Sequence, residues 1–283
     1  MVRQYQRHHP PSSGELSGMG DLQAFTLIEL LVVISIIALL IALLLPALGK
    51  AKDNAEITRS LSQKRQLTIA WSTYHADHGG VMVGPGTGGR AAGDWVRLAG
   101  SNDPQERLEA IRDGLLWDYV QQPAVYKTPN DPREVAFRSD SLSNFLHGSP
   151  VWHSGINGDA PVRMADQLRK PARTMVFVEE LDPRGKENQG SWVMLVNPQD
   201  PHGRGGWLDW PGNILLDGNV HSFADGHALF YRFKGSDTAK IDGFGQPAGN
   251  GLADVDYYLS IYVPHLSVEA PRGGRAGGRG GPR

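Results

Sequence analysis

The sequence predicts an α+β protein. A long N-terminal helix spans a membrane with its first half and packs with its second half on a C-terminal head built around an antiparallel β-sheet. Three observations predict this. Phe25 to Leu48 is an unbroken apolar run with one charge, Glu29. Leu67, Ala70, Trp71 and Tyr74 then recur at i, i+3, i+4 and i+7, the spacing of one helix face. In the last 110 or so residues, short runs rich in β-branched and aromatic residues follow one another without helical patterns between them, which favours antiparallel pairing.

The elements follow in chain order. Residues 1–24 form a polar leader with few charges, and Met19 offers a second start within it. Residues 25–48, as a helix at ~1.5 Å per residue, reach ~36 Å, enough to cross a ~30 Å hydrocarbon core. The run keeps no polar stripe, as a buried core helix of a soluble protein would. Pro46 sits inside it and removes one helical hydrogen bond. Polarity returns at Lys50, Lys52 and Asp53, and the helix continues to a stop at His78-Gly79-Gly80, so the helical region is 25–78.

The head is residues 79–269. Its first part, to about Gly155, is rich in Gly, Pro, Asp and Asn and reads as loop. GPGTGG at 84–89 lacks the Lys-Ser/Thr of a phosphate loop and is not framed by strand and helix, so it is also read as loop. Strands are expected at Thr174–Val178, Trp192–Val196, Asn213–Leu216, Val220–Phe223, Ala228–Phe233 and Tyr257–Val263. Asp225-Gly226 is the best hairpin turn in the chain. Residues 270–283 form a Gly/Arg tail of low complexity, expected to be disordered.

Composition narrows the function. The 283 residues carry 28 Lys plus Arg against 30 Asp plus Glu, a formal net charge of −2, which excludes a protein whose whole surface binds nucleic acid. Without the tail the balance is 24 basic to 30 acidic residues. The absence of cysteine excludes disulfides, thiolate metal sites and cysteine nucleophiles. Neither G-x-S-x-G nor H-E-x-x-H occurs, and the expectation is a non-enzyme.

Ala24-Phe25-Thr26-Leu27-Ile28-Glu29-Leu30-Leu31 resembles the cleavage and methylation site of type IV prepilins and type II secretion pseudopilins. The resemblance implies a pilin-like fold and cleavage between Ala24 and Phe25 by a prepilin peptidase. It also implies N-methylation of Phe25 and a role for Glu29 in methylation and assembly. A paired charge in low dielectric is tolerable where an unpaired one is not, so Glu29 of one subunit would meet the new amine of its neighbour. Two further stretches, Leu61–Gly80 and Gly218–His227, resemble planctomycete-type pilin-like proteins with a C-terminal FADGH motif; Gln66, Leu67, Ala70, Tyr74, Asp77 and Gly80 carry the first likeness.

The implied function is that of a filament subunit, of a type IV pilus or a secretion pseudopilus, self-assembling through its N-terminal helix. Its implied partners are the prepilin peptidase, the inner-membrane assembly proteins and the bacterial inner membrane, with no nucleic acid. The head would lie in the periplasm or in an extracellular filament. Two alternatives stay open. One is a membrane-tethered extracytoplasmic binding protein or hydrolase that shares this N-terminus. The other is an ordinary secretory signal cut near Ala47-Leu48-Gly49.

His202, Asp209, Asp217, His221, Asp225 and His227 cluster in sequence and invite a metal reading. The first reading is structural, with no cofactor. Calcium is the alternative, because loop carboxylates suit it, and Asp209, Asp217 and Asp225 are its candidate ligands. A two-residue Asp225-Gly226 turn sets Ala224 opposite His227. It places His221, Phe223, Ala228 and Phe230 on one face, and Ser222, His227, Leu229 and Tyr231 on the other. In that register His221 and His227 cannot share an ion.

Overall fold

The computed structural model describes residues 26–129, 131–134, 136–147, 162–181, 190–194, 207–209, 211–240 and 251–262. The chain divides into two units, Met1–Lys50 and Ala51–Arg283. It is a mixed α+β protein with one long N-terminal helix and a five-stranded sheet.

Helix α1 runs Leu27–Asp77 without a break at Pro46. In the first unit its apolar side chains are exposed on every side, from Leu27 to Leu48. Ser35, within that surface, turns its hydroxyl back onto the Leu31 carbonyl at 2.7 Å, so its donor is satisfied within the helix. In the second unit the expected stripe is buried: Leu67, Ala70, Trp71 and Tyr74 join the core. The helix stops where the glycines allow it. Gly79 and Gly80 have φ of 62° and 88°, and the Gly80 N–H donates back to the His75 carbonyl at 2.7 Å, closing a Schellman turn.

The sheet is built from β1 (Asp140–Ser143), β2 (Met175–Glu179), β3 (Ser191–Trp192), β4 (Gly218–Phe223) and β5 (Ala228–Arg232), in the order β3-β1-β2-β4-β5. Three of its four pairings are antiparallel; β1 and β3 run parallel, so the expected all-antiparallel sheet is corrected to a mixed one. The cause is β1, a strand within the stretch read as loop. Its sequence, DSLS, has no apolar run, yet all four residues are buried. It lies between β2 and β3, so the chain leaving β2 must pass it to reach the edge.

The same stretch hides α2 (Pro104–Arg112). Asp103 caps it by accepting from the Gln105 N–H at 3.2 Å, and Pro104 supplies its first turn. The GPGTGG loop folds around an anion of the chain itself. Gly86 and Gly88 N–H groups donate to the Asp94 carboxylate at 3.1 and 2.8 Å.

Two expected strands are not strands. Tyr257–Val263 belongs, up to Tyr262, to helix α3 (Leu252–Tyr262). Its Tyr and Ile residues suggest a strand, but Val255, Tyr258, Leu259 and Tyr262 are buried at helical spacing. Asn213–Leu216 forms only an isolated bridge from Leu215 to Gly218, closed by a turn at Leu216-Asp217. Of the expected strand at Trp192–Val196, residues 195 and 196 lie outside the described residues.

Both faces of the sheet are covered within the second unit. Ser222 of β4 meets Thr68 of α1, whereas its neighbour His221 meets Tyr257 and Tyr258 of α3. Successive strand residues point to opposite faces, so α1 and α3 lie on opposite sides. This explains why β1, β2 and β4 are buried at every position.

Candidate functional site

The first candidate site is the start of α1. Ala24 and Phe25 lie outside the described residues. Thr26 and Glu29 form a reciprocal pair. The Thr26 N–H and hydroxyl donate to one Glu29 carboxylate oxygen at 2.9 and 2.7 Å, and the Glu29 N–H donates to the Thr26 hydroxyl at 3.2 Å. This is a capping box, in which a Thr before the helix and a Glu three residues on satisfy each other's open N–H groups. The spacing T-x-x-E was readable in the sequence, and the capping role went unread. α1 is long and apolar enough to cross a membrane, compatible with a single-pass membrane protein.

The second site is a polar seam between α1 and the sheet, on residues that sequence reasoning missed. Lys64 of α1 is fully buried. Its ammonium pairs with the Asp140 carboxylate of β1 and lies 3.6 Å from Glu179 of β2. Glu179 also accepts from the hydroxyls of Ser60 and Thr128, the latter at 2.8 Å, and from the Val220 N–H at 3.0 Å. Thr68, one turn beyond Lys64, donates to Ser222 at 2.6 Å. Burial pushes the Asp140 carboxyl up to about 6, against the pull of Lys64. One signal was available. Ser60 and Lys64 extend the apolar stripe backwards at the same spacing, so Lys64 had to lie on the buried face.

The third site is the FADGH hairpin, where the expected register is corrected. Ser222 pairs with Ala228, and the Phe223 N–H donates to the His227 carbonyl at 2.9 Å. The loop is therefore the three residues Ala224-Asp225-Gly226. The Gly226 N–H donates to the Phe223 carbonyl at 2.9 Å, and Gly226 alone in the loop takes a positive φ, 94°. A type I turn followed by a left-handed glycine is the usual three-residue hairpin. The extra residue slips the register by one, which moves β5 side chains to the other face. His221 and His227 thus share a face, with Phe223 between them: the Phe223 and His227 rings stack at 4.2 Å.

The two histidines nonetheless have separate partners. His221 is buried, its Nε2 is 2.6 Å from the Tyr257 hydroxyl, and burial pushes it down to about 3. His227 is exposed and its Nδ1 is 2.5 Å from Asp225.

The proposed calcium ligands also lie on separate local structures. Asp225 holds its own hairpin by accepting from the His227 N–H at 3.2 Å. Asp209 accepts from the Val193 N–H at 2.7 Å. Asp217 is exposed in the turn after Leu215. Among the described residues, no three His, Asp or Glu side chains come together to hold a metal; His202 lies outside them.

Comparison with protein-family models, characterised proteins and solved structures yields no match to this chain.

Proposed function

We propose that this chain is a pilin-like subunit that assembles, through α1, into a type IV pilus-like or secretion-pseudopilus filament. The observation that carries the reading is the division of labour within one helix. From Leu27 to Leu48 it offers apolar side chains all round and buries none of them, with one acid, Glu29, at its start. From Ser60 to Tyr74 it is a core element of the head, held by Lys64 and a stripe of aromatic and aliphatic residues. Such a helix has to find its apolar partners outside its own chain, first in lipid and then among copies of itself.

In this reading a prepilin peptidase cuts between Ala24 and Phe25, and the new amine is methylated. Glu29 leaves its cap on Thr26, or shares it, to pair with the amine of a neighbouring subunit. The head stays outside the cytoplasm. The test is the mass of the mature N-terminus, together with recovery of sheared filaments from cells. A start at N-methylated Phe25, with residues 25–48 retained in filaments, is expected. A mature chain beginning at Lys50 would overturn the reading in favour of ordinary secretion. A retained helix without filaments would favour a membrane-tethered binding protein.

A further inference from the structure

Lys64 and Asp140 are placed as reactants as well as ions. The Lys64 ammonium touches the Asp140 carboxylate, and both side chains are shut off from solvent. Asp140 of β1 stands directly opposite Glu179 of β2, so the two acids share the face of the sheet that meets α1. The acids are held differently. Glu179 accepts from the Ser60 and Thr128 hydroxyls on one oxygen and from the Val220 N–H on the other. Among the described residues, the Asp140 carboxylate has no hydrogen-bond donor besides Lys64. Arg138, the other cation that acts on Asp140, turns its guanidinium to the Asp140 backbone carbonyl and the Ser141 hydroxyl, over the Trp95 ring. Glu179 is thus anchored, while Asp140 is held by the lysine alone.

We propose that Lys64 and Asp140 join in an intramolecular isopeptide bond, with Glu179 carrying the proton. Glu179, 3.6 Å from the ammonium, takes one proton and frees the lone pair of Nζ. Nζ attacks Cγ of Asp140, and a C–N bond forms. As the tetrahedral centre collapses, a second proton leaves the nitrogen. One Asp140 oxygen receives both protons, its bond to Cγ breaks, and it departs as water. Glu179 ends as the carboxylate it was. One ammonium and one carboxylate become one amide and one water, with no change in net charge and no co-reactant.

The fold favours the step in three ways. It holds nucleophile and carboxyl in contact, which makes the reaction unimolecular. Burial pushes the Asp140 carboxyl up to about 6, towards the protonated acid whose hydroxyl can leave. The amide also replaces two desolvated charges with none, and exclusion of solvent hinders its hydrolysis. The ion pair is the chain before this step. The bond ties α1 to β1, an inner strand of the sheet, and closes residues 65–139 into a loop. The proposal is independent of filament assembly.

The experiment is intact-mass spectrometry of the full chain, folded in detergent micelles and then denatured, followed by a tryptic digest. A chain lighter than its sequence by one water is expected, with residues 60–65 linked to residues 139–163, because trypsin does not cut after an acylated Lys64. Lys64→Arg keeps a cation and should restore the full mass. Water lost elsewhere, as from Asp225-Gly226, would persist in that variant. Glu179→Gln keeps an acceptor but cannot carry the proton. It should leave the bond unformed in chains that tryptophan fluorescence shows to be folded. Full mass in the wild type, with residues 60–64 and 139–163 released as separate peptides, would overturn the proposal. A bond formed as completely in Glu179→Gln as in the wild type would overturn the part given to Glu179.

Discussion

Lys64 of the N-terminal helix and Asp140 of the first strand form an ion pair from which solvent is excluded, with the Glu179 carboxylate as a third member 3.6 Å from the ammonium. A buried pair adds little over an apolar contact of the same shape, but breaking it is expensive, because the remaining charge is left without a partner. The seam thus fixes which turn of α1 meets the sheet, more than it adds stability.

Lys64→Ala should therefore destabilise the second unit by about 3–5 kcal/mol, with two acids left facing one another. Lys64→Met combined with Asp140→Asn should recover at least about 1 kcal/mol of that, since the acid most in need of the lysine is gone. Denaturant unfolding of the full chain in micelles, followed by tryptophan fluorescence, reads both. Equal stability of the single and double variants would mean that the pair is not coupled.

At the other end of α1, the capping box gives Glu29 a structural role apart from the one proposed for it in assembly. Glu29→Gln keeps a side chain able to cap Thr26 and removes the charge. Membrane insertion should be unchanged or better. Filament yield should fall about tenfold or more, because an amine left unpaired in low dielectric costs about 3–5 kcal/mol. Normal filament yield from this variant would reduce Glu29 to a helix cap.

His221 and Asp140 pull the pH dependence of stability in opposite directions. Burial holds His221 neutral down to about 3, while an unfolded imidazole takes up a proton below ~6.5. Its contribution is therefore present above pH ~6.5 and is lost as pH falls towards 3. Asp140 is raised to about 6, so its folded state binds the extra proton, and stability falls as pH rises from ~3.9 to 6. His221→Gln removes the first effect alone. Stability measured from pH 4 to 7 should show the wild type's advantage over this variant shrinking as pH falls. A pH-independent difference would show that His221 titrates alike in the folded and unfolded chains.

The hairpin gives a ranking. A Cβ on Gly226 would meet nothing within 4 Å, so the cost of substitution there is backbone strain alone. Gly226→Val should cost about 1–3 kcal/mol and Gly226→Asn much less, because Asn tolerates left-handed backbone. Asp225 is exposed, and Asp225→Asn should cost under about 1 kcal/mol. Thermal melts with calcium and with chelator check the ranking. A calcium-dependent shift abolished by Asp225→Asn would make the hairpin an ion site instead.

What the sequence determined by itself was whatever depends on neighbours along the chain. The apolar run, the 3.6-residue stripe through Leu67 and Tyr74, the glycine stop and the strands around Val176, Val220 and Leu229 are local patterns with which the tertiary structure agrees. What the tertiary structure decided was everything that depends on distant partners. β1 is a strand although three of its four residues are polar, because Lys64 meets Asp140, Glu180 accepts from the Ser141 hydroxyl and the backbone pairs with β2. α3 is a helix despite its tyrosines because it has a sheet face to cover, holding His221. One extra residue in the FADGH loop decided which face carries His227. Each of these outcomes costs desolvation or entropy locally and is stabilised only by contacts far away in sequence, and no pattern within one window records those contacts.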